Sequence, residues 1–217
     1  MPSNSPPRPR SVSRAPRGRP KDQDKRAAIL AAAKALFAQQ GLAGTSMEGL
    51  AAAAGVSKLT LYSHFRNKDE LFRQTVVAKC SEHWPENVFD VAARLPLRVR
   101  LRSIGKGFLD LLFSDDVMNL HRMMAAEGGR QNRLGRLFWE AGPEFTIHRF
   151  MEVLDGAVSS GELSIADTRR AAAVFFVLLK GEHHLRVMVG AGSAPAPEAR
   201  QKHVDEVVEL FLQIYAA

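Results

Sequence analysis

Residues 41–72, GLAGTSMEGLAAAAGVSKLTLYSHFRNKDELF, constrain the fold of this chain more than any other stretch. Thr45, followed three residues later by Glu48, has the pattern of a capping box and starts a short helix through Leu50 and Ala54. Gly55 ends that helix. After a tight Gly-Val-Ser turn, Ser57 caps a second helix in which Leu61 and Phe65 stand one turn apart and face inward with Val56. The opposite side of that helix carries Leu59, Thr60, Tyr62 and Ser63, flanked by Lys58 and His64. An apolar and aromatic stripe turned outward on so short a helix suits water poorly and a DNA groove well.

The charge distribution agrees by an independent route. The chain carries +7 overall, yet residues 1–80 hold 14 Lys/Arg against 5 Asp/Glu, and residues 81–217 hold 16 against 18. A basic head on a slightly acidic body fits a polyanion-binding unit, because each neutralised phosphate releases condensed counterions. Residues 1–20 form a proline-rich arm with five arginines and no acid, a composition that cannot build a core. Arg17 and Arg19 lie just ahead of the first helix, where such an arm can enter the adjacent minor groove or act as a solvated basic tail.

These residues carry a family resemblance. Val56, Thr60-Leu61-Tyr62, His64-Phe65 and Asn67-Lys68 resemble the helix-turn-helix of the TetR family of bacterial transcriptional regulators. The upstream Ile29-Leu30-x-x-Ala33-x-x-Leu36-Phe37 with Gly41 is similar to that family's first helix, and the resemblance covers roughly residues 22–75. Further on, Ala125-Ala126-Glu127 through Gly142-Pro143-Glu144, Gly161-Glu162-Leu163 and Ala166-Asp167 look like the AefR-like C-terminal domain of some members.

The rest of the chain reads as helices, with no alternating strand segment. One runs from Lys68 to about Trp84, and another from Pro96 to about Phe113. A third starts at Asp115 and passes Met118 and Met124, and a fourth runs from Gln131 to a break at Gly142-Pro143. Three more follow: Phe145 to Ser159, an Asp167-capped helix to about Val189, and a last helix ending near Tyr215. The expected architecture is all-α: an arm (1–20), a three-helix helix-turn-helix DNA-binding domain (21–72), and a larger helical ligand-sensing and dimerisation domain (73–217).

Within the second domain, Phe108, Phe113, Met123, Met124, Trp139 and Phe145 are apolar side chains suited to an adaptable interior. The resemblance implies a small-molecule effector site between these helices, and side chains of this kind suit an apolar or aromatic effector; residue by residue, a plain core is the alternative. The resemblance also implies a homodimer, with Val174, Phe175, Leu178, Val207, Phe211 and Ile214 on the last two helices facing the two-fold mate; packing alone leaves intrachain burial equally open.

On the DNA side, Lys58 is expected to donate to guanine, Leu59 to meet a thymine methyl and Thr60 to reach a base edge. Tyr62, His64 and Lys68, with Thr45 and Ser46, are expected to hold phosphates. The partner is then a double-stranded operator read by a dimer, and the function is repression relieved by a ligand. An architectural DNA-binding protein without a discrete operator is the alternative.

Other classes find little support. No phosphate-binding Gly-Lys-Ser/Thr loop, dinucleotide fingerprint, His-Glu-x-x-His or Cys/His zinc spacing occurs, so neither an enzyme nor a cofactor or metal is expected. His183-His184 are adjacent and cannot present two imidazoles from one helix face. The longest apolar run, residues 171–179, is far below the ~20 residues of a membrane span. Cys80 is the single cysteine, which fits a packing residue in a reducing cytoplasm.

Overall fold

Caps and breakers in the chain set where each helix begins and ends in the computed structural model, which describes residues 19–85, 88–90, 95–127 and 132–217. The helices are α1 (Arg19–Gly44), α2 (Met47–Ala53), α3 (Lys58–His64), α4 (Lys68–Ser81), α5 (Leu97–Leu112), α6 (Asp115–Glu127), α7 (Asn132–Trp139), α8 (Phe145–Ser159), α9 (Thr168–Met188) and α10 (Pro197–Tyr215). Among the described residues the only strand-like pairing is one antiparallel bridge between Leu163 and Ala216. None of the described helices is long and apolar enough to cross a membrane.

Arg19-Pro20 open α1, where a proline is tolerated because its missing N–H would have no partner. The helix thus starts two residues inside the expected arm. Residues 1–18, Arg17 among them, lie outside the described residues. At its other end Gly41 adopts φ 68°, a left-handed conformation that breaks the last turn.

That break moves the next cap by one residue. Thr45 is buried, and its hydroxyl donates to the Gly41 carbonyl at 2.8 Å, so it stabilises the kink rather than capping α2. The N-cap is Ser46, whose Oγ accepts from the Gly49 N–H at 3.0 Å, and Glu48 makes no capping-box bond. Ser57 caps α3 as expected, accepting from the Thr60 N–H at 3.1 Å. Between the two helices Gly55 takes φ 64°. Asn67 caps α4, accepting from Glu70 at 2.9 Å, while Glu70 reaches back to the Arg66 N–H at 2.8 Å.

The expected break at Gly142-Pro143 is instead a wide π turn over Glu140–Glu144 that carries α7 into α8. A proline cannot donate to the carbonyl four residues back, and widening the turn accommodates it without ending the helix. Asp167 caps α9 by accepting from Arg170 at 2.9 Å. Gly181 kinks α9 at φ 49°, and His203 of α10 donates from Nε2 toward the carbonyls of Leu178 and Leu179, each 3.2 Å away.

Two apolar clusters result. In the head, Ile29, Ala33 and Phe37 of α1 meet Leu50 of α2, Leu61 of α3, and Phe65, Leu71 and Phe72; this cluster continues through Val76 and Cys80 to Val117, Leu134 and Leu137. The helix α4 therefore runs unbroken across the boundary anticipated at residue 72 and belongs to both units. The body core centres on Phe150, Phe175 and Phe211, all fully buried, with the Phe150 and Phe175 rings 4.8 Å apart and those of Phe175 and Phe211 5.1 Å apart. Each such side chain contributes about 1.5–3 kcal/mol by leaving water.

Candidate functional site

The outer face of α3 follows from its inner one. Leu61 and Phe65 are fully buried, which turns Leu59 and Tyr62 outward, 83% and 44% exposed. Arg26 of α1 locks the helix from behind: its guanidinium lies 4.8 Å over the Phe65 ring and donates to Gln74 Oε1 at 3.1 Å. Lys58 projects from the first turn and pairs with Glu48 of α2 at 2.5 Å, while Thr60 Oγ1 lies 2.9 Å from Ser57 Oγ. Glu48 thus holds the Lys58 ammonium in the free protein, and each raises the charged form of the other.

The expected phosphate-binding residues divide. Ser46 and Tyr62 are exposed beside this face. Thr45 is not, because its hydroxyl is turned into the Gly41 kink. The Lys68 ammonium donates to the Thr45 carbonyl at 2.8 Å and so ties the start of α4 to the start of α2. His64 is nearly covered, with Nε2 3.2 Å from Asp22 of α1. Arg66 is an exposed cation just after α3 that helical periodicity could not assign, since it lies beyond the helix end. Arg19 stands in the first turn of α1.

Behind the head a cavity of about 180 Å³ opens between α4, α5, α6, α7, α8 and α9. Its walls are mostly apolar, including Val76, Phe108, Leu120, Phe138, Ile147 and Phe176, with Thr146, His121, Lys79 and Lys180 as polar groups. His121 Nδ1 lies 3.0 Å from His184 Nε2, and burial, reinforced by His184 and Lys180, pulls His121 down to about 4. Cys80 also faces this space; burial pushes its thiol up to about 11, so it stays protonated and inert.

Of the residues expected here, Phe108 and Trp139 line the cavity. Met123 borders a second, smaller space of about 100 Å³ between α1, α4 and α6, which shares Val76, Lys79, Val117 and Leu120 with the first. Met124 is buried in the head cluster and Phe113 packs on the body core. Phe145 faces a groove with Trp84 and Phe89. Continuity of the π turn explains the difference: it fixes the rotation of α8, so that Thr146 and Ile147, rather than Phe145, point into the cavity.

Next to the cavity, Lys34 of α1, Lys79 in the last turn of α4, Glu82 just after it, and Asp116 of α6 form one ion network. Lys34 lies 3.0 Å from Asp116, and Lys79 lies 3.0 Å from Glu82 and 3.3 Å from Asp116. Asp116 is therefore a bridging carboxylate between head and body. Among the described residues no group of three metal-binding side chains is found.

The last two helices also require correction. Phe175, Val207 and Phe211 are buried in their own chain's core, because the stripe they share faces Phe150 and α5. Val174 and Leu178 are half-buried, and Ile214 is exposed. The exposed large apolar side chains here are Val177 and Leu185 of α9, Val189 just past its end, and Leu210 and Ile214 of α10.

Comparison with known proteins matches both halves. Residues 29–75 match the family described as "Bacterial regulatory proteins, tetR family", and residues 99–217 match "AefR-like transcriptional repressor, C-terminal domain". The chain is similar to the flavonoid-responsive regulator FrrA, at 34% identity over 89% of this chain and 98% of that one, with a TM-score of 0.67. It is similar to a TetR transcriptional regulator from Agrobacterium tumefaciens, at 26% identity over 90% and 95%, with a TM-score of 0.67. The HTH-type transcriptional regulator AcrR of Shigella flexneri is 44% identical over 52 residues, and that segment spans 24% of each chain.

Proposed function

We propose, for a chain that belongs to the TetR family of transcriptional regulators, that it is a cytoplasmic repressor that binds a palindromic operator as a homodimer and leaves it when a small apolar or aromatic molecule fills the cavity. The observation that carries this reading is the continuity of α4. Its first turn is bonded to the start of α2 through Lys68, and its last turns supply Val76, Lys79 and Cys80 to the cavity wall. A rod of this kind, roughly 1.5 Å per residue, converts displacement at the cavity into displacement of α3.

In the complex, Leu59, Thr60 and Lys58 face base edges, and Ser46, Tyr62 and Arg66 face phosphates. Lys58 is freed when it exchanges Glu48 for the groove. Two copies related by a two-fold axis place their α3 helices about 34 Å apart, in successive major-groove faces. The apolar surface of Leu185, Val189, Leu210 and Ile214 supports α9 and α10 as the dimer face. An effector that prefers a wider spacing shifts the population away from DNA, and a coupling of ~1–3 kcal/mol gives ~5–150-fold. That a relative at 34% identity is named flavonoid-responsive supports an aromatic effector.

The test is binding of the purified protein to the intergenic DNA upstream of its own gene and to random DNA, at several salt concentrations and against a library of small apolar compounds. Dimer-sized protection abolished by one compound is the expected result. Equal, steeply salt-dependent binding to both DNAs would favour an architectural role instead.

A further inference from the structure

The cavity is apolar but not electrically neutral in its layout. Among the described residues its walls include no Asp and no Glu, and they include two lysines. Lys79 is satisfied, since Glu82 and Asp116 hold its ammonium at 3.0 and 3.3 Å. Lys180, half-buried on α9, has no hydrogen-bond or ion-pair partner among the described residues. Burial lowers it from the ordinary lysine range, as expected when a charge is partly withdrawn from water. A ligand that supplies a counter-charge meets this ammonium without displacing an existing partner.

We propose that the effector carries a single carboxylate on an apolar body, and that Lys180 is the residue that recognises this carboxylate. The proposal rests on the reading of this cavity as the effector site. The geometry orients the ligand. The α9 residues facing the cavity are Ala173, Phe176, Val177 and Lys180, a stripe about 10 Å long at 1.5 Å per residue. Lys180 stands at one end, beside the His121 and His184 pair, and Phe108, Ile147 and Phe176 surround the other. The carboxylate therefore lies toward α6 and the apolar body toward α5 and α8.

A monoanion fits better than a phosphate. Among the described residues no arginine lines the cavity, and one free ammonium offers a single point charge rather than a bidentate fork. The volume, about 180 Å³, slightly exceeds the ~150 Å³ that holds a benzene ring. A fused two-ring acid is thus a suitable probe, with its edge reaching past Trp139 at the rim.

The experiment titrates the full-length protein with 2-naphthoate and with its neutral counterpart 2-naphthamide, by calorimetry. Wild type should bind the acid about 10-fold or more tightly than the amide, the range of a charge-assisted hydrogen bond. Lys180→Arg should keep that preference. Lys180→Met should abolish it while leaving amide binding intact. Equal binding of acid and amide by wild type, or retention of the preference in Lys180→Met, would overturn the role of Lys180 and leave the cavity a sensing site. Binding of neither probe, with operator binding intact, would overturn the effector cavity and this inference together.

Discussion

Lys34 Nζ on α1 lies 3.0 Å from Asp116 Oδ2 on α6, so one carboxylate joins the helix that positions the head to a helix that walls the cavity. The hydrogen bond from Lys34, aided by that from Lys79, holds the Asp116 carboxyl below its ordinary range against the opposing effect of burial. Breaking this link should matter more to communication than to stability. Asp116→Asn is expected to change the free energy of unfolding by no more than about 1 kcal/mol, because the pair is half-exposed. It should weaken operator binding about 5-fold or more by loosening α1 on α6. Parallel denaturation and operator titrations check this; a variant with wild-type operator affinity would confine the network to a structural role.

Leu59→Ala tests base reading on α3. The side chain is 83% exposed, so stability should change by less than about 0.5 kcal/mol. Operator affinity should fall by about 1–3 kcal/mol, with binding to random DNA unchanged. Equal losses on both DNAs would argue against a base contact.

Glu48→Gln tests the pair with Lys58. Releasing the ammonium makes one more cation available to phosphate, so binding to random DNA should tighten. The slope of log K against log salt should steepen by about 0.9. An unchanged slope would mean that Lys58 already leaves Glu48 at no cost.

Gly107→Ala tests how closely α5 passes the end of α4. A Cβ at position 107 would stand 2.5 Å from the His83 carbonyl oxygen and from the Trp84 ring, whose N–H donates to the Ile104 carbonyl. Neither the backbone nor the bonded indole yields easily. A loss of about 1–3 kcal/mol is expected in chemical denaturation, and a loss below 0.5 would show that the α4–α5 crossing is soft.

His121 makes stability depend on pH. Its imidazole is lowered from 6.5 to about 4 in the folded protein, first by burial and then by the His184 and Lys180 of α9 that face it. The unfolded chain therefore binds more protons between these values. The stabilisation from His121 is complete above about pH 6.5 and is lost as pH falls through 4, amounting to about 3 kcal/mol. Unfolding midpoints measured from pH 7 to 4 should fall, and His121→Phe should flatten that fall. An equally steep fall in the variant would assign it to other groups.

What the chain determined by itself was local. Ser57, Asn67 and Asp167 cap their helices because a side-chain oxygen reaches a free N–H within the same turn, which is a matter of sequence spacing alone. The outward turn of Leu59 and Tyr62 follows in the same way, from the opposite placement of Leu61 and Phe65. Tertiary structure decided whatever depends on which way a helix is rotated in its packing. The left-handed Gly41 drew Thr45 inward and passed its capping role to Ser46, and the π turn at Pro143 aimed Ile147 rather than Phe145 at the cavity. Phe175 and Phe211 look identical in sequence whether they meet their own core or a partner. Only the position of Phe150, some 25 and 61 residues away along the chain, settles that they meet their own. The isolation of Lys180 belongs to the same class: a charge is recognised as unpaired only once all the walls around it are in place, because its possible partners come from every helix that surrounds the cavity.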